Sequence, residues 1–332
     1  MRLSILDQAP ISVGMTPQGA LQASIELAQL GDRLGYTRFW MAEHHDLSGL
    51  ACPSPDVMLG IIGSKTTNIR IGSGAVLVPH YRPFKIAETY NLLATLYPGR
   101  VDLGIGRAPG GSAEATIALS NNFLDNVRKI PETIDELLKF LYNDFSKDNI
   151  YSKIKPTPVP QSSPKPWLLG TSKKSAMLAA EKGMAYAFGH FMSSQDGPEI
   201  VRKYYNDFSR GYDLSKPEVV VAISVICADT SEEAEALALS SQLWSVKRGK
   251  GEDIGIPSVE EAISYAYTAD ERLLIERSKQ KMVIGNPQAV KSQLKELKKL
   301  YNADELMIVT ITHRSEAKLK SYELIAKEML AK

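Results

Sequence analysis

The chain has 332 residues, 44% hydrophobic and 23% charged, which are the proportions of an ordinary globular protein and exclude a disordered or fibrous one. Lys and Arg together number 39 against 38 Asp and Glu, a net charge of +1, so no global electrostatic grip on nucleic acid or an anionic membrane is expected. At about 150 residues per domain the length fits two ordinary domains or one large barrel, and a chain this long needs no disulfide or metal to fold.

The elements alternate from the start. Leu3–Leu6 is a short apolar run that ends at Asp7, too short for a signal peptide. Thr16-Pro17 reads as an N-cap with proline in the first turn, and the helix it opens carries Leu27, Leu30 and Leu34 and stops at Gly35. Arg38–Met41 is the next strand and a helix follows from Asp56. Ile69–Val78 is a third strand, rich in β-branched residues, and Pro83 opens a helix that ends at Pro98-Gly99. Strands follow at Val101–Ile105, Trp167–Leu169, Met184–Phe188, Val219–Ile226 and Leu306–Ile311, with helices at Ser172–Lys182, Glu199–Phe208, from Ser231, and through Leu319 to Met329.

Eight strand–helix units imply parallel strands, because each crossover helix returns the chain to the same edge. We therefore expect a single α/β domain over 1–332, a (β/α)8 TIM barrel with insertions at the C-terminal mouth. A barrel needs roughly 250 residues. The surplus falls at the proline-rich 143–166, a loop or hairpin excursion, and at the polar 248–282. No run reaches about 18 apolar residues, so no membrane span is expected. Cys52 and Cys227 form no metal or CxxC spacing, the usage of a reducing compartment, and a cytoplasmic location follows.

Catalysis in such a barrel sits where strands end. After the second strand comes Glu43-His44-His45-Asp46, which reads as a general base or a metal site. The metal reading is the weaker, since no third His or Cys stands at ligand spacing. Ser73-Gly74-Ala75 lies in the third strand, where glycines at 72 and 74 mark either tight barrel packing or the close approach of a flat ligand. The fourth strand runs into Gly104-Ile105-Gly106-Arg107-Ala108-Pro109-Gly110-Gly111. Pro109 stands where a dinucleotide fingerprint needs its third glycine, so the Rossmann reading fails and an anion site around Arg107 remains. Gly170-Thr171-Ser172, with Ser175, precedes a helix and suits either a phosphate or an ordinary N-cap. Together with Arg107 it tips toward a phosphate-bearing cofactor.

With these stretches in view, Tyr36–His45, Ile71–Val76, Pro98–Arg107 and Trp167–Ser172 resemble the bacterial-luciferase-like flavin-dependent monooxygenases over essentially the whole chain, and Leu6–Pro10 is similar to their short single-chain subgroup. The resemblance implies a barrel that binds FMN at its mouth, as reduced FMNH2 supplied by a separate NAD(P)H:flavin reductase, and that uses O2 through a C4a-hydroperoxyflavin to oxidise a small aldehyde, carbonyl or thiol substrate. It places the catalytic histidine at His44, titrating near working pH as a general base. It places a non-prolyl cis peptide at Gly74-Ala75, with Ser73, beneath the flavin ring. Arg107, Gly170, Thr171, Ser172 and Ser175 match phosphate-binding positions, and relatives carry an acid where Thr171 stands. His190 falls where relatives place an aromatic residue near the flavin. Relatives are commonly homodimers. No metal, nucleic acid or membrane partner is implied. The alternatives are hydride transfer with deazaflavin F420 on the same barrel, or a non-enzymatic flavin-binding protein.

Overall fold

Residues 1–330 are described by the structure, a computed structural model. The strands are β1 (Arg2–Asp7), β2 (Arg38–Met41), β3 (Arg70–Ser73), β4 (Val76–Leu77), β5 (Val101–Gly106), β6 (Lys165–Gly170), β7 (Ala185–Gly189), β8 (Val219–Cys227), β9 (Met282–Gly285) and β10 (Glu305–Val309). Neighbours run in the order β10-β1-β2-β3-β5-β6-β7-β8, and β8 pairs back onto β10, with Val220 opposite Glu305. β4 continues the line of β3 and pairs with β5, so the closed parallel barrel has eight staves. β9 was not expected. It pairs with the far half of β8, from Ser224 to Cys227.

Local chemistry sets the helix ends. Thr16 accepts a hydrogen bond from the N–H of Gly19, Pro17 opens the helix Pro17–Leu34, and Gly35 closes it with φ +81°. Asn286-Pro287 opens a helix to Tyr301 in the same way, between β9 and β10. No helix among the described residues is long and apolar enough to cross a membrane.

Strand alternation divides the side chains into two layers. Leu3, Ile5, Phe39, Ile71, Leu103, Leu168, Val221 and Leu306 face the helices and form the main core. Their neighbours face the barrel axis in tiers. At the strand starts Arg38 meets Asp102 (2.7 Å) and Glu305 (2.7 Å), and Ser4 bonds the same Glu305. One tier up, Trp40 packs edge-on against Trp167 at 5.4 Å and donates to Asp102 at 3.1 Å. At the strand ends the inward residues shrink to Ala42, Gly74, Gly106, Ala187 and Ala222, and the barrel opens.

Two expectations change in detail. The third strand is not continuous over Ile69–Val78: the Gly74–Ala75 peptide is cis, and Val78–His80 forms a 3-10 turn. The excursion 143–164 leads from the end of the helix Ile130–Tyr142 to the first residue of β6, so it belongs at the strand starts rather than the mouth. It is a loop with one 3-10 turn and no hairpin, held where Asn91 donates to the Pro156 carbonyl at 2.8 Å. The second excursion does reach the mouth. Ile256 bridges Ser12, the Ser48 N–H donates to Asp253 at 2.8 Å, and His313 Nδ1 meets the Ile256 carbonyl at 3.0 Å.

Candidate active site

The open end of the barrel is a cavity of about 490 Å³. Leu6, Trp40, Ala222 and Met307 floor it, Gly74, Ala75 and Gly106 form one wall, and Leu169, Gly170 and Thr171 form another. Neighbouring side chains leave no room for a Cβ at these glycines. A Cβ on Gly74 would stand 2.6 Å from Leu6 Cδ1, and one on Gly106 would stand 2.9 Å from the Ala75 Cβ. Across the top lie Phe123, Leu124 and Val127, from the helix Phe123–Arg128. That helix and its neighbour Ala113–Leu119 bury no residue fully, so they carry no apolar stripe by which sequence could have found them.

His44 lines the cavity, and its buried Nδ1 has no partner. Burial, then the charges of Arg248 and His45, push its pKa down to about 4. At neutral pH it is an uncharged imidazole, well below the near-neutral titration expected of it. His45 plays a different part. Its Nε2 lies 2.9 Å from Glu43 Oε1, which also accepts from the Tyr81 hydroxyl at 2.7 Å, and the Leu77 N–H reaches Oε2 at 3.2 Å. Burial raises the Glu43 pKa against these hydrogen bonds. The His45 N–H donates to the Gly110 carbonyl at 2.9 Å, and His80 Nε2 meets the Pro109 carbonyl at 2.9 Å while its ring stacks on Phe123 at 5.0 Å. His45 and His80 thus pin the glycine-rich turn after β5. Gly110, at φ +75°, makes that turn possible.

Arg107, at the head of the turn, is exposed, and its Nη2 lies 3.4 Å from Ser172 Oγ. Ser172 caps the helix Lys173–Glu181 in a reciprocal box with Ser175. Gly74, Ala75, Arg107, Gly170 and Thr171 therefore come together with His44 around one space, with Ser172 beside Arg107. Three expected residues do not reach it. Ser73 shares the parity of Ile71, and its hydroxyl is buried against the Gly104 backbone at 3.0 and 3.1 Å. Ser175 is occupied by the Ser172 carbonyl at 2.7 Å and the Tyr186 hydroxyl at 3.0 Å. His190 lies outside the cavity, its Nδ1 held by the Tyr301 hydroxyl at 2.7 Å, while the next residues of the same short turn, Phe191 and Met192, line the cavity.

A closed barrel with this mouth matches the family model described as luciferase-like monooxygenase over residues 1–303. The chain belongs to the luciferase-like monooxygenase family. It is similar to the Bacillus subtilis protein YceB, 43% identical over 99% of this chain and 100% of that one. It is also similar to the N-acetyl-S-alkylcysteine monooxygenase of Bacillus subtilis, 34% identical over 100% and 99%. The crystal structure of apo-MsnO8 superposes with a TM-score of 0.89 at 32% identity, covering 100% of this chain and 99% of that one. This luciferase-like monooxygenase is accordingly an oxygenase enzyme, which sets aside a purely flavin-storing role. In it, sequence reasoning singled out Glu43 within the Glu43–Asp46 stretch without assigning it a site role, and missed Tyr81, Leu6, Ala222 and Met307. Counting alternate residues back from each strand end would have placed Leu6, Ala222 and Met307 inside the barrel.

Proposed function

We propose that this enzyme is the oxygenase half of a two-component cytoplasmic system. It takes reduced FMN from a separate NAD(P)H:flavin reductase and uses it with O2 to oxidise a small organic substrate of aldehyde, carbonyl or thiol type. One observation carries the reading: a mostly apolar cavity of about 490 Å³ has an exposed guanidinium, Arg107, at one edge beside a helix N-terminus. An apolar slot with an anion cradle at one end suits a flat ring that bears a phosphate.

Arg107, Thr171 and Ser172 would hold the phosphate, Gly74 and Ala75 the ring, with Gly170 between them. Ser175 and Ser73 act beneath, as the cap of the helix and the tie between β3 and β5. Bound there, reduced FMN supplies the electrons that activate O2. The chain's own work is to exclude water with Phe123, Leu124 and Phe191, and to present His44 as a neutral imidazole whose free Nδ1 faces no competing partner. The enzyme works as a homodimer in this proposal. Val57 and Ile61 on the helix Pro55–Lys65, with Leu92 and Leu96 on the adjoining Pro83–Leu96, are each at least 41% exposed and form an aliphatic face for a second copy.

Anaerobic titration tests the cofactor. Reduced FMN should bind at least tenfold more tightly than F420, and Arg107→Ala should weaken it about 10- to 100-fold, the loss of a hydrogen bond to a charged group. Tighter F420 binding, or no FMN binding, overturns the reading. Oxygen mixing against a panel of aldehydes, thiols and N-acetyl-S-alkylcysteines then reads the substrate class.

A further inference from the structure

Behind the wall formed by Val76 lies a second, smaller space of about 150 Å³, open to solvent between the helices Pro55–Lys65 and Pro83–Leu96. Its lining is polar on most sides: Ser54, Asp56, Tyr81, Lys85, Thr89 and Tyr90. Tyr90 is 1% exposed, and burial raises the pKa of its hydroxyl, which lies near Ser73. A polar space of this volume accommodates about five water molecules at roughly 30 Å³ each.

One residue borders both this chamber and the cavity at the mouth, and it is Glu43. Its carboxylate touches Tyr81 on the chamber side and His45 on the other, at 2.7 and 2.9 Å. The ionisable groups around it are His45 on its own strand end, Tyr81 and Lys85 from the helix side, Asp56 from the first chamber helix, and Cys52 and His44 from the same loop. Nothing in the cofactor reading uses this arrangement.

We propose that Glu43, which itself lines the mouth cavity, is a proton relay between water in the side chamber and His45, packed behind the mouth-lining Gly110. The carboxylate takes a proton from chamber water and passes one to Nε2 of His45. The water loses one proton, the imidazole gains one, and Glu43 ends as it began. The reverse step returns it. The role rests on the proposed oxygenase reading, in which one atom of O2 leaves as water and protons must reach a site that lids shield from solvent.

The test uses the cofactor-free protein, so its failure is separate from failure to bind flavin. With only five histidines in the chain, nitrogen-15 labelling of histidine resolves the His45 ring N–H and its exchange with water. Thr89→Phe fills the chamber without touching a partner of Glu43. Ser54→Trp does so from the rim, at an N-cap that makes no side-chain hydrogen bond, and serves if the first variant fails to fold. Either should slow His45 exchange at least tenfold, and Glu43→Gln should do the same. In turnover, the filled-chamber variants should keep the FMN Kd within twofold and lose rate most at high pH, where protons are scarce. Exchange at the wild-type rate in a folded filled-chamber variant overturns the relay. A slowed rate that Glu43→Gln does not share also overturns it.

Discussion

At the strand starts, Arg38 is 2% exposed and closed in by two carboxylates, with Trp40 and Trp167 packed edge-on in the next tier. At the strand ends the same inward-facing positions hold alanine and glycine around an open space, and the cation there, Arg107, is exposed beside a hydroxyl. One end thus spends its charges on one another and the other leaves a charge free for a ligand. The contrast arises within single strands. β2 runs Arg38, Trp40, Ala42 along its inner face and β5 runs Asp102, Gly104, Gly106, each tapering from a large or charged residue to a small one. A barrel that tapers in this way is stable at one end so that it can be hollow at the other.

The largest effect is expected from opening the plug. Arg38→Ala leaves Asp102 and Glu305 buried without their main cation and should cost about 3–5 kcal/mol in denaturant melts. A loss below about 1 kcal/mol would mean that the ion cluster does not hold that end. Burial alone would raise the Asp102 pKa, but the Arg38 and Arg70 guanidiniums, with their hydrogen bonds, hold it below the ordinary value. Its contribution is therefore complete above the unfolded value of about 3.9 and disappears as pH falls through the lower folded value.

A matched pair of substitutions sharpens the comparison. Ala185 and Ala222 both face the barrel axis and both are buried, but Ala185 packs in the filled tier and Ala222 floors the cavity. Ala185→Leu should overpack the interior and destabilise by about 1–3 kcal/mol. Ala222→Leu has open space above it, so its thermal midpoint should move by no more than about 2 °C while reduced-FMN affinity falls at least about tenfold. Equal stability losses at the two positions would show that the cavity floor is as tightly packed as the plug.

The eight staves were legible because parallel strands buried on both faces are mostly apolar, and the Thr16, Pro17 and Gly35 caps mark a helix unaided. β9 escaped notice as four residues, Met282–Gly285, at the end of a polar stretch. The helix after it did carry readable signals, an Asn286-Pro287 start and Val290, Leu294 and Leu297 at helical spacing. In the site, residues that follow a strand end were placed well, whereas Ser73 and Ser175 were judged by their hydroxyls and not by their facing. Ser73 sits one residue out of phase with the glycines that line the barrel. His190 depended on the direction of a turn after β7, which local sequence does not encode. The pKa of His44 was also out of reach, since burial and the distant Arg248 set it.

That depressed pKa separates the two ends by pH rather than by packing. A histidine with an ordinary value of about 6.5 when unfolded and about 4 when folded binds its proton more readily in the unfolded chain. Stability therefore falls as pH drops below about 6.5, and the loss is complete below the folded value, with a cost at pH 5 on the order of 2 kcal/mol. The plug's acid limb begins only near the ordinary Asp value, so the range from pH 6.5 to 5 reports His44 without contribution from Asp102. Thermal midpoints at pH 7 and pH 5 should draw together in His44→Gln relative to the wild type. If both proteins lose the same amount, His44 is not held neutral by the mouth, and the uncharged imidazole assigned to the oxygenase site fails with it.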